Sequence, residues 1–385
     1  MPTDPNNAPD AFSSKELGFE ALWYDSLGAK SSSVLVETPD VSILIDPGAS
    51  AMQKGFPMSR LRKAYYRLRA LGRISGAAQK ARIVVVSHYH YDHYCRLNLR
   101  LADCAGMYRG KLVIVKNPNQ FVNFSQWARA RSFFSQIVRK FGKGGSLEHF
   151  FTTPQTTDFP DPEDSIPLAI GKDFKDYQRR RNEILDLGRK WFKSLTRMWS
   201  SNQWIPELNF GDTKFMFSDE KRLEVGNTVL RFSSPVFHGV EYDKLGWVTS
   251  TVVERNGVKL LHSSDFQGPV IEDYADWIIK ENPDVAFIDG PPTYLIGIIA
   301  SKASFSRAID NACRIIREAD RMKLMIYDHH LMRDPLFRER VADVYKVAKQ
   351  SGKLVTSVAE YLGQDVVALK ARRSSAPNED PSKSQ

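Results

Sequence analysis

Ile83-Val84-Val85-Val86 is an unbroken run of β-branched apolar residues, and positions 88–93 directly after it hold three imidazoles and a carboxylate. Such a run reads as a buried β-strand, so the cluster Ser87-His88-Tyr89-His90-Tyr91-Asp92-His93-Tyr94 lies in the loop leaving its carboxyl end. Alternation lets His88 and His90 point the same way, while Asp92 and His93 open the next turn towards a second position. Neutral imidazole and carboxylate are ligands that suit zinc, manganese or iron. A polar loop with incidental histidines is the bland alternative. It fits poorly in a chain with only 8 His, where the motif takes three of them in six positions.

A chain of 385 residues with 42% hydrophobic and 26% charged residues is that of an ordinary globular protein with a sizeable core. Met1 to Pro9 has neither a basic segment nor an apolar one of the secretory kind. No apolar run reaches the length of a membrane span. Three cysteines, Cys95, Cys104 and Cys313, with no CxxC spacing, suggest a reducing, cytoplasmic setting without a disulfide framework. Cys95 is then expected to be a small buried hydrophobe.

The net charge of +9 is unevenly spread. Arg60 to Arg82 and Arg109 to Lys143 are both rich in Lys and Arg and contain no acid. Such stretches suit an anionic partner, a small phosphorylated molecule or a nucleic acid, and equally a merely solvated basic surface.

Residues 1–17 read as a disordered lead-in and 371–385 as a disordered tail, leaving 18–370 as the folded domain. Ser33 to Glu37 and Val41 to Ile45 form a hairpin around Thr38-Pro39-Asp40, and Asp46-Pro47-Gly48 ends the second strand. Leu61, Tyr65, Leu68 and Leu71 repeat at helical spacing. A basic helical insertion is expected over about 121–205. Its long helix carries Phe174, Tyr177, Ile184, Leu187, Trp191, Leu195 and Met198 on one stripe, and Arg179, Arg180, Arg181, Arg189, Lys190, Lys193 and Arg197 on the other face. Thr249 to Glu254 and Val258 to Leu261 make a second hairpin around Arg255-Asn256-Gly257. Alternating strands and helices follow.

Three further ligand-type positions fall where strands end. These are His238 after Phe232 to Phe237, Asp265 after Leu260 to Ser264, and His329-His330 after Leu324 to Asp328. One ion would take His88, His90 and His238, and a second Asp92, His93 and one terminal histidine, with Asp265 bridging. Neighbouring side chains on an extended segment point to opposite faces, so only one of His329 and His330 should be a ligand.

With these residues in order, the chain resembles the metallo-β-lactamase-fold hydrolases. The family's motifs map onto Asp46, then His88, His90, Asp92 and His93, then His238, Asp265, and His329 or His330. It is similar above all to a mostly archaeal branch whose function is not established. That branch shares Ser26-Leu27-Gly28, Leu44 to Gly48, Ser87 to Tyr94, Ser263 to Pro269, Asp289 to Tyr294 and Asp328 to Asp334. The resemblance implies an α/β fold, the αββα sandwich, with two divalent metal ions at one edge. Zinc is the first candidate, and manganese or iron are the alternatives. It also implies Asp46 as the orienter of a ligand.

The expected activity is hydrolysis of a phosphodiester or other anionic ester by attack of a metal-bridging hydroxide, with Asp92, Asp265 and Asp46 as catalytic residues. Arg333 and Tyr294 are the expected substrate contacts. His90 stands where the flavodiiron members carry Glu, and Asp265 where true β-lactamases carry Cys, which favours phosphodiester or thiolester cleavage. A lactone or thiolester hydrolase is one alternative, and a nucleic-acid-binding protein with a structural metal site the other. The interval from Asp265 to His329 is 64 residues, too short for the inserted domain with which nucleases of this superfamily grip a strand. A small anionic substrate is therefore preferred to a nucleic acid.

Overall fold

The computed structural model describes residues 12–99, 101–298 and 301–375. The first sheet contains β1 (Gly18–Tyr24), β2 (Ser32–Glu37), β3 (Ser42–Ile45), β4 (Ile83–Val86), β5 (Leu112–Val115), β6 (Leu208–Phe210) and β7 (Thr213–Phe217), in the order β1-β2-β3-β4-β5-β7-β6. β8 (Arg222–Val225) and β9 (Thr228–Phe232) open the second. A short ribbon of β10 (Val236–Phe237) and β11 (Trp247–Val248) intervenes. The second sheet then adds β12 (Thr251–Arg255), β13 (Val258–His262), β14 (Val285–Asp289), β15 (Leu324–Asp328) and β16 (Leu354–Thr356), in the order β16-β15-β14-β13-β12-β9-β8.

Sequence dictates which strands run parallel. β3, β4 and β5 are short aliphatic runs buried almost throughout, and they pair in parallel. Parallel neighbours need a crossover, and helix α1 (Arg60–Ala78) supplies the one between β3 and β4, capped by the Ser59 hydroxyl, which accepts from the Arg62 amide. β12 and β13 are joined by Asn256-Gly257, both left-handed at φ 46° and 82°, as a tight hairpin turn requires. β13, β14, β15 and β16 are again parallel.

The two sheets face each other across one continuous core. His262 Nε2 lies 3.0 Å from both the hydroxyl and the carbonyl of Ser32, and Phe287 packs edge-on against Phe19 at 5.2 Å. This is the αββα sandwich that the sequence leads one to expect. Parallel strands of both sheets deliver their carboxyl ends to one edge, the usual place for a binding crevice in α/β sheets.

Between β5 and β6 lie α2 (Phe124–Phe141), α3 (Pro167–Gly171) and α4 (Gln178–Ser201), and Asn123 and Gln126 close a capping box on α2. α5 (Glu272–Glu281) and α6 (Lys302–Glu318) connect β13 to β14 and β14 to β15. Two helical faces differ from expectation. On α1 the buried face is Ala70, Leu71, Ile74, Ala77 and Ala78, while Leu61 is 84% exposed and Tyr65 and Leu68 also face outward. On α4 the buried stripe is Arg181, Leu185, Gly188, Phe192, Leu195 and Trp199, and Ile184 and Leu187 are exposed.

The reason on α4 is a buried ion network that draws an arginine inward. Arg181 donates to Glu241 at 3.0 Å, and Arg307 of α6 bridges Glu241 (2.7 Å) and Glu272 of α5 (2.6 Å). All four side chains are nearly or fully buried. Gly188 meanwhile lies flat on the Tyr242 ring, where a Cβ would come within 2.5 Å.

Other expectations also shift. Cys95 and Cys104 are joined as a disulfide with Cα atoms 5.5 Å apart, and Cys313 alone is a free thiol, buried. Part of the expected lead-in is packed: Phe12 stacks on Phe19 and Leu17 is buried; residues 1–11 lie outside the described residues. The expected tail begins inside a helix over Val367–Ser375, and 376–385 lie outside the described residues. Among the described residues no helix is long and apolar enough to cross a membrane.

Candidate metal centre

Every ligand-type position read from the sequence arrives at the shared edge. His88, His90, His238 and Asp265 offer donor atoms within 4.8 Å of one another, as do Asp92, His93 and His329, and Asp265, His329 and His330. Asp265 lies between the first two groups. Its Oδ2 is 2.9 Å from His238 Nε2 and 3.5 Å from His88 Nε2; its Oδ1 is 3.2 Å from His93 Nε2 and 3.5 Å from His329 Nε2. Each carboxylate oxygen thus addresses a different pair of imidazoles.

The rings are aimed by their other nitrogen. His93 Nδ1 donates to Asp46 Oδ2 at 2.8 Å, and Asp46 also accepts from the Ser87 amide (2.8 Å) and hydroxyl (2.7 Å). His329 Nδ1 reaches Asp25 Oδ1 at 2.9 Å and the Ser31 carbonyl at 3.0 Å. His330 Nδ1 sits 2.9 Å from both oxygens of Asp289, and the Gln267 amide meets His238 Nδ1 at 3.1 Å. Carboxylates behind histidines of this kind fix the tautomer and turn Nε2 towards the centre. Asp46, Ser264, Gln267 and His329 all hold left-handed backbones, with φ between 50° and 61°. Strain of that sort collects at functional sites.

Both terminal histidines face the cluster, with ring centroids 4.4 Å apart. The expectation of opposite faces fails because the segment is not extended: His329–Arg333 is a 3₁₀ turn entered at φ 61°.

Charge in the cluster is strongly coupled. Burial opposes ionisation of Asp265, but His93, His329 and His88 outweigh it and hold the carboxyl well below the usual range. Burial likewise opposes protonation of His93, yet Asp265 and Asp46 lift its imidazole to about 10. Burial, reinforced by nearby imidazoles, pushes His88 and His90 well down. Asp289 is raised to about 7 by burial and by the charge on Asp265.

His88 Nε2, His93 Nε2 and Asp265 Oδ1 are fully buried without a hydrogen bond. Buried polar atoms are nearly always paired, and unpaired nitrogen and oxygen donors converging on one place suit a cation. The residues therefore fit a divalent metal, and the donor set contains no sulfur.

Above the cluster opens a cavity of about 350 Å³ whose wall includes Lys30, Arg129, Arg333, Tyr294, Leu245 and Leu295. Arg333 is bound to Asp25 at 2.5 Å, lies 3.6 Å from Asp92 and has its Nη1 3.5 Å from the Tyr294 hydroxyl. It is tied into the site and largely buried. Lys30 and Arg129 are the freer cations, and sequence reasoning singled out neither. Lys30 carries no motif, and Arg129 was one of many cations in an acid-free run. Asp25, Ser31 and Gln267 were also missed as ring holders. Asp289 stood in a noted strand-end string, Asp289-Gly290-Pro291-Pro292, without its partner.

Gly48 passes under the histidine loop. A Cβ there would lie 2.6 Å from the His93 backbone nitrogen and carbonyl carbon. Since backbone cannot yield as a side chain can, Gly48→Ala is expected to cost at least about 1–3 kcal/mol. A denaturation midpoint equal to that of the wild type would show that the loop has room to move.

Fold and site have the architecture of the metallo-β-lactamase fold, and the model of the metallo-beta-lactamase superfamily matches residues 28–99. A UPF0282 protein of Methanopyrus kandleri is 30% identical over 366 residues, covering 93% of this chain and 98% of its own. One of Methanocaldococcus jannaschii is 29% identical over 355 residues, covering 91% and 92%. The chain belongs to the UPF0282 family. Among solved structures it is similar to the metallo-β-lactamase-fold protein YhfI of Bacillus subtilis, at 12% identity and TM-score 0.41 over 89% of this chain and 96% of that one. It is also similar to the short form of human tRNase Z, at 11% identity and TM-score 0.36 over 81% and 92%.

Proposed function

We propose that this chain is a dinuclear metal-dependent hydrolase of a phosphodiester or related anionic ester. Its catalytic domain, expected over 18–370, takes in Phe12 and Leu17 ahead of that span and the helix Val367–Ser375 at its end, with 121–205 as the helical insertion. The observation that carries this reading is the Asp265 carboxylate, whose two oxygens face separate pairs of imidazoles, each pair holding one buried nitrogen, His88 Nε2 or His93 Nε2, without a hydrogen bond. His88, His90 and His238 would hold one cation, Asp92, His93 and His329 the other, and Asp265 would be shared. His330, backed by Asp289, would reach the centre beside Asp265 and His329. Zinc suits the nitrogen and oxygen donors, with manganese or iron as alternatives. Such cations supply Lewis acidity and a water of lowered pKa.

The remaining work belongs to the chain's own groups. Lys30 and Arg129 would draw the anionic head into the cavity, where low dielectric strengthens each contact. Tyr294, beside Arg333, offers a hydroxyl to the substrate. Asp46, Asp25 and Asp289 hold His93, His329 and His330 in place, so the donors need not reorganise during turnover. Three cations around one cavity support a phosphodiester over a neutral lactone. Leu245 and Leu295 on its wall keep a thiolester as the second reading.

Metal analysis of protein purified without chelator should find about two ions per chain. A panel of bis-p-nitrophenyl phosphate, a lactone, a thiolester and single-stranded RNA should then show turnover of phosphodiesters that chelator abolishes. A metal–sulfur shell in X-ray absorption, or less than one ion per chain after reconstitution, would overturn the assignment.

A further inference from the structure

Residues 47–91 contain no Asp or Glu but carry nine Lys or Arg. The structure gathers four of these cations around a second cavity, of about 500 Å³, at the start of α1. Lys54, Arg60, Lys63 and Arg67 stand around it, and Leu68 and Leu101 are among its apolar walls. No carboxylate lines it. Among the described residues none of Lys54, Arg60 and Arg67 is paired with an acid. Lys63 and Arg67 are turned to backbone carbonyls, of Gln53 and Ala49 respectively. Lys54 and Arg60 are exposed.

The two cavities are lined by consecutive residues of one segment. Ser50 lines the catalytic cavity and Ala51, the next residue, lines the second. The segment between them is pinned: Lys30 and Ser50 exchange backbone hydrogen bonds at 2.9 Å, and the Ser31 hydroxyl donates to the Gly48 carbonyl at 2.6 Å. Arg96 stands near the linings of both. Arg96 acts electrostatically on Arg67 and lies 4.2 Å from the centroid of the Tyr91 ring, which borders the catalytic cavity.

We infer that the α1 cavity is a subsite for a nucleotide neighbouring the scissile bond of a single-stranded nucleic acid. The inference rests on the phosphodiesterase reading above and names its substrate class. A free inorganic anion would need the cations but not the apolar wall, and an acyl chain would need the wall but not four cations. A nucleotide uses both, its phosphate on Lys54 and Arg60 and the face of its base against Leu68 and Leu101. Repetition of phosphates along a chain then explains why one cationic cavity adjoins another. The usual strand-gripping insertion after Asp265 is not required, because the grip lies before the histidine loop.

The test is binding of a fluorescein-labelled single-stranded RNA to the metal-loaded protein, read by anisotropy so that no turnover is needed. Lys54→Glu/Arg60→Glu should weaken binding by about ten-fold or more and flatten the salt dependence by about the slope expected for two fewer phosphate contacts. Lys193→Glu/Arg197→Glu, the same charge change on exposed α4 positions, should leave affinity within about two-fold if binding is local rather than a response to net charge. Equal weakening by both variants, or none by the first, overturns the subsite. So does polyglutamate displacing the RNA at equal charge concentration, since that would make the cavity a general polyanion site. RNA binding lost in the first variant, in a protein that cleaves no phosphodiester, would keep the subsite and sink the hydrolase reading instead.

Discussion

Asp265→Asn should leave the protein with one cation per chain instead of two and lower turnover by on the order of 10²–10³-fold. The amide keeps the volume of the carboxylate but not its charge, and it turns an N–H towards one of the two imidazole pairs that the oxygens now face. Asp265→Ala removes both donors and should abolish turnover. Metal content is the second readout, because a variant that merely folds less well still fills both sites in the molecules that remain folded. Two ions per chain together with wild-type turnover in Asp265→Asn would end the idea of a shared carboxylate.

Glu241→Ala should lower the unfolding free energy by about 3–5 kcal/mol. Glu241 accepts from Arg181 and Arg307 at once, and truncation strands two buried guanidinium groups, only one of which keeps Glu272. The loss would fall on the junction of α4, α5 and α6 and on the loop three residues beyond His238. Arg179→Ala on the same helix removes a side chain that is 93% exposed; its effect should stay within about 0.5 kcal/mol. Urea melts of the two variants make the comparison, and equal midpoints would show that the network contributes no more than a surface pair.

Much of the site was legible because ligands come in short strings at strand ends. His88 to His93 follow an aliphatic run that can only be a buried strand, and Asp265 and the terminal histidines repeat that arrangement on the second sheet. The sandwich was legible for the same reason. What could not be read were choices made by distant partners. Asp25 holds Arg333 from 308 positions away, and neither residue's neighbours announce the other. Apolar periodicity misplaced the buried faces of α1 and α4, since it takes every leucine as buried and every arginine as exposed. Among the described residues Leu61 is left 84% exposed, whereas Arg181 has Glu241. The extended-strand rule failed at His329 because one left-handed residue redirects the pair, and no local composition signals it.

The candidate ligands are drawn from both sheets: Asp92 and three histidines follow β4, while His238, Asp265 and His329 belong to the second half of the chain. A cation gripping both halves would act as a removable cross-link, and its binding energy would enter the stability of the whole molecule, growing with RT ln(1 + [L]/Kd). Metal supply would then govern two quantities at once, the fraction of molecules able to react and the fraction that survives proteolysis. Scarcity would thin the population before it slowed the survivors.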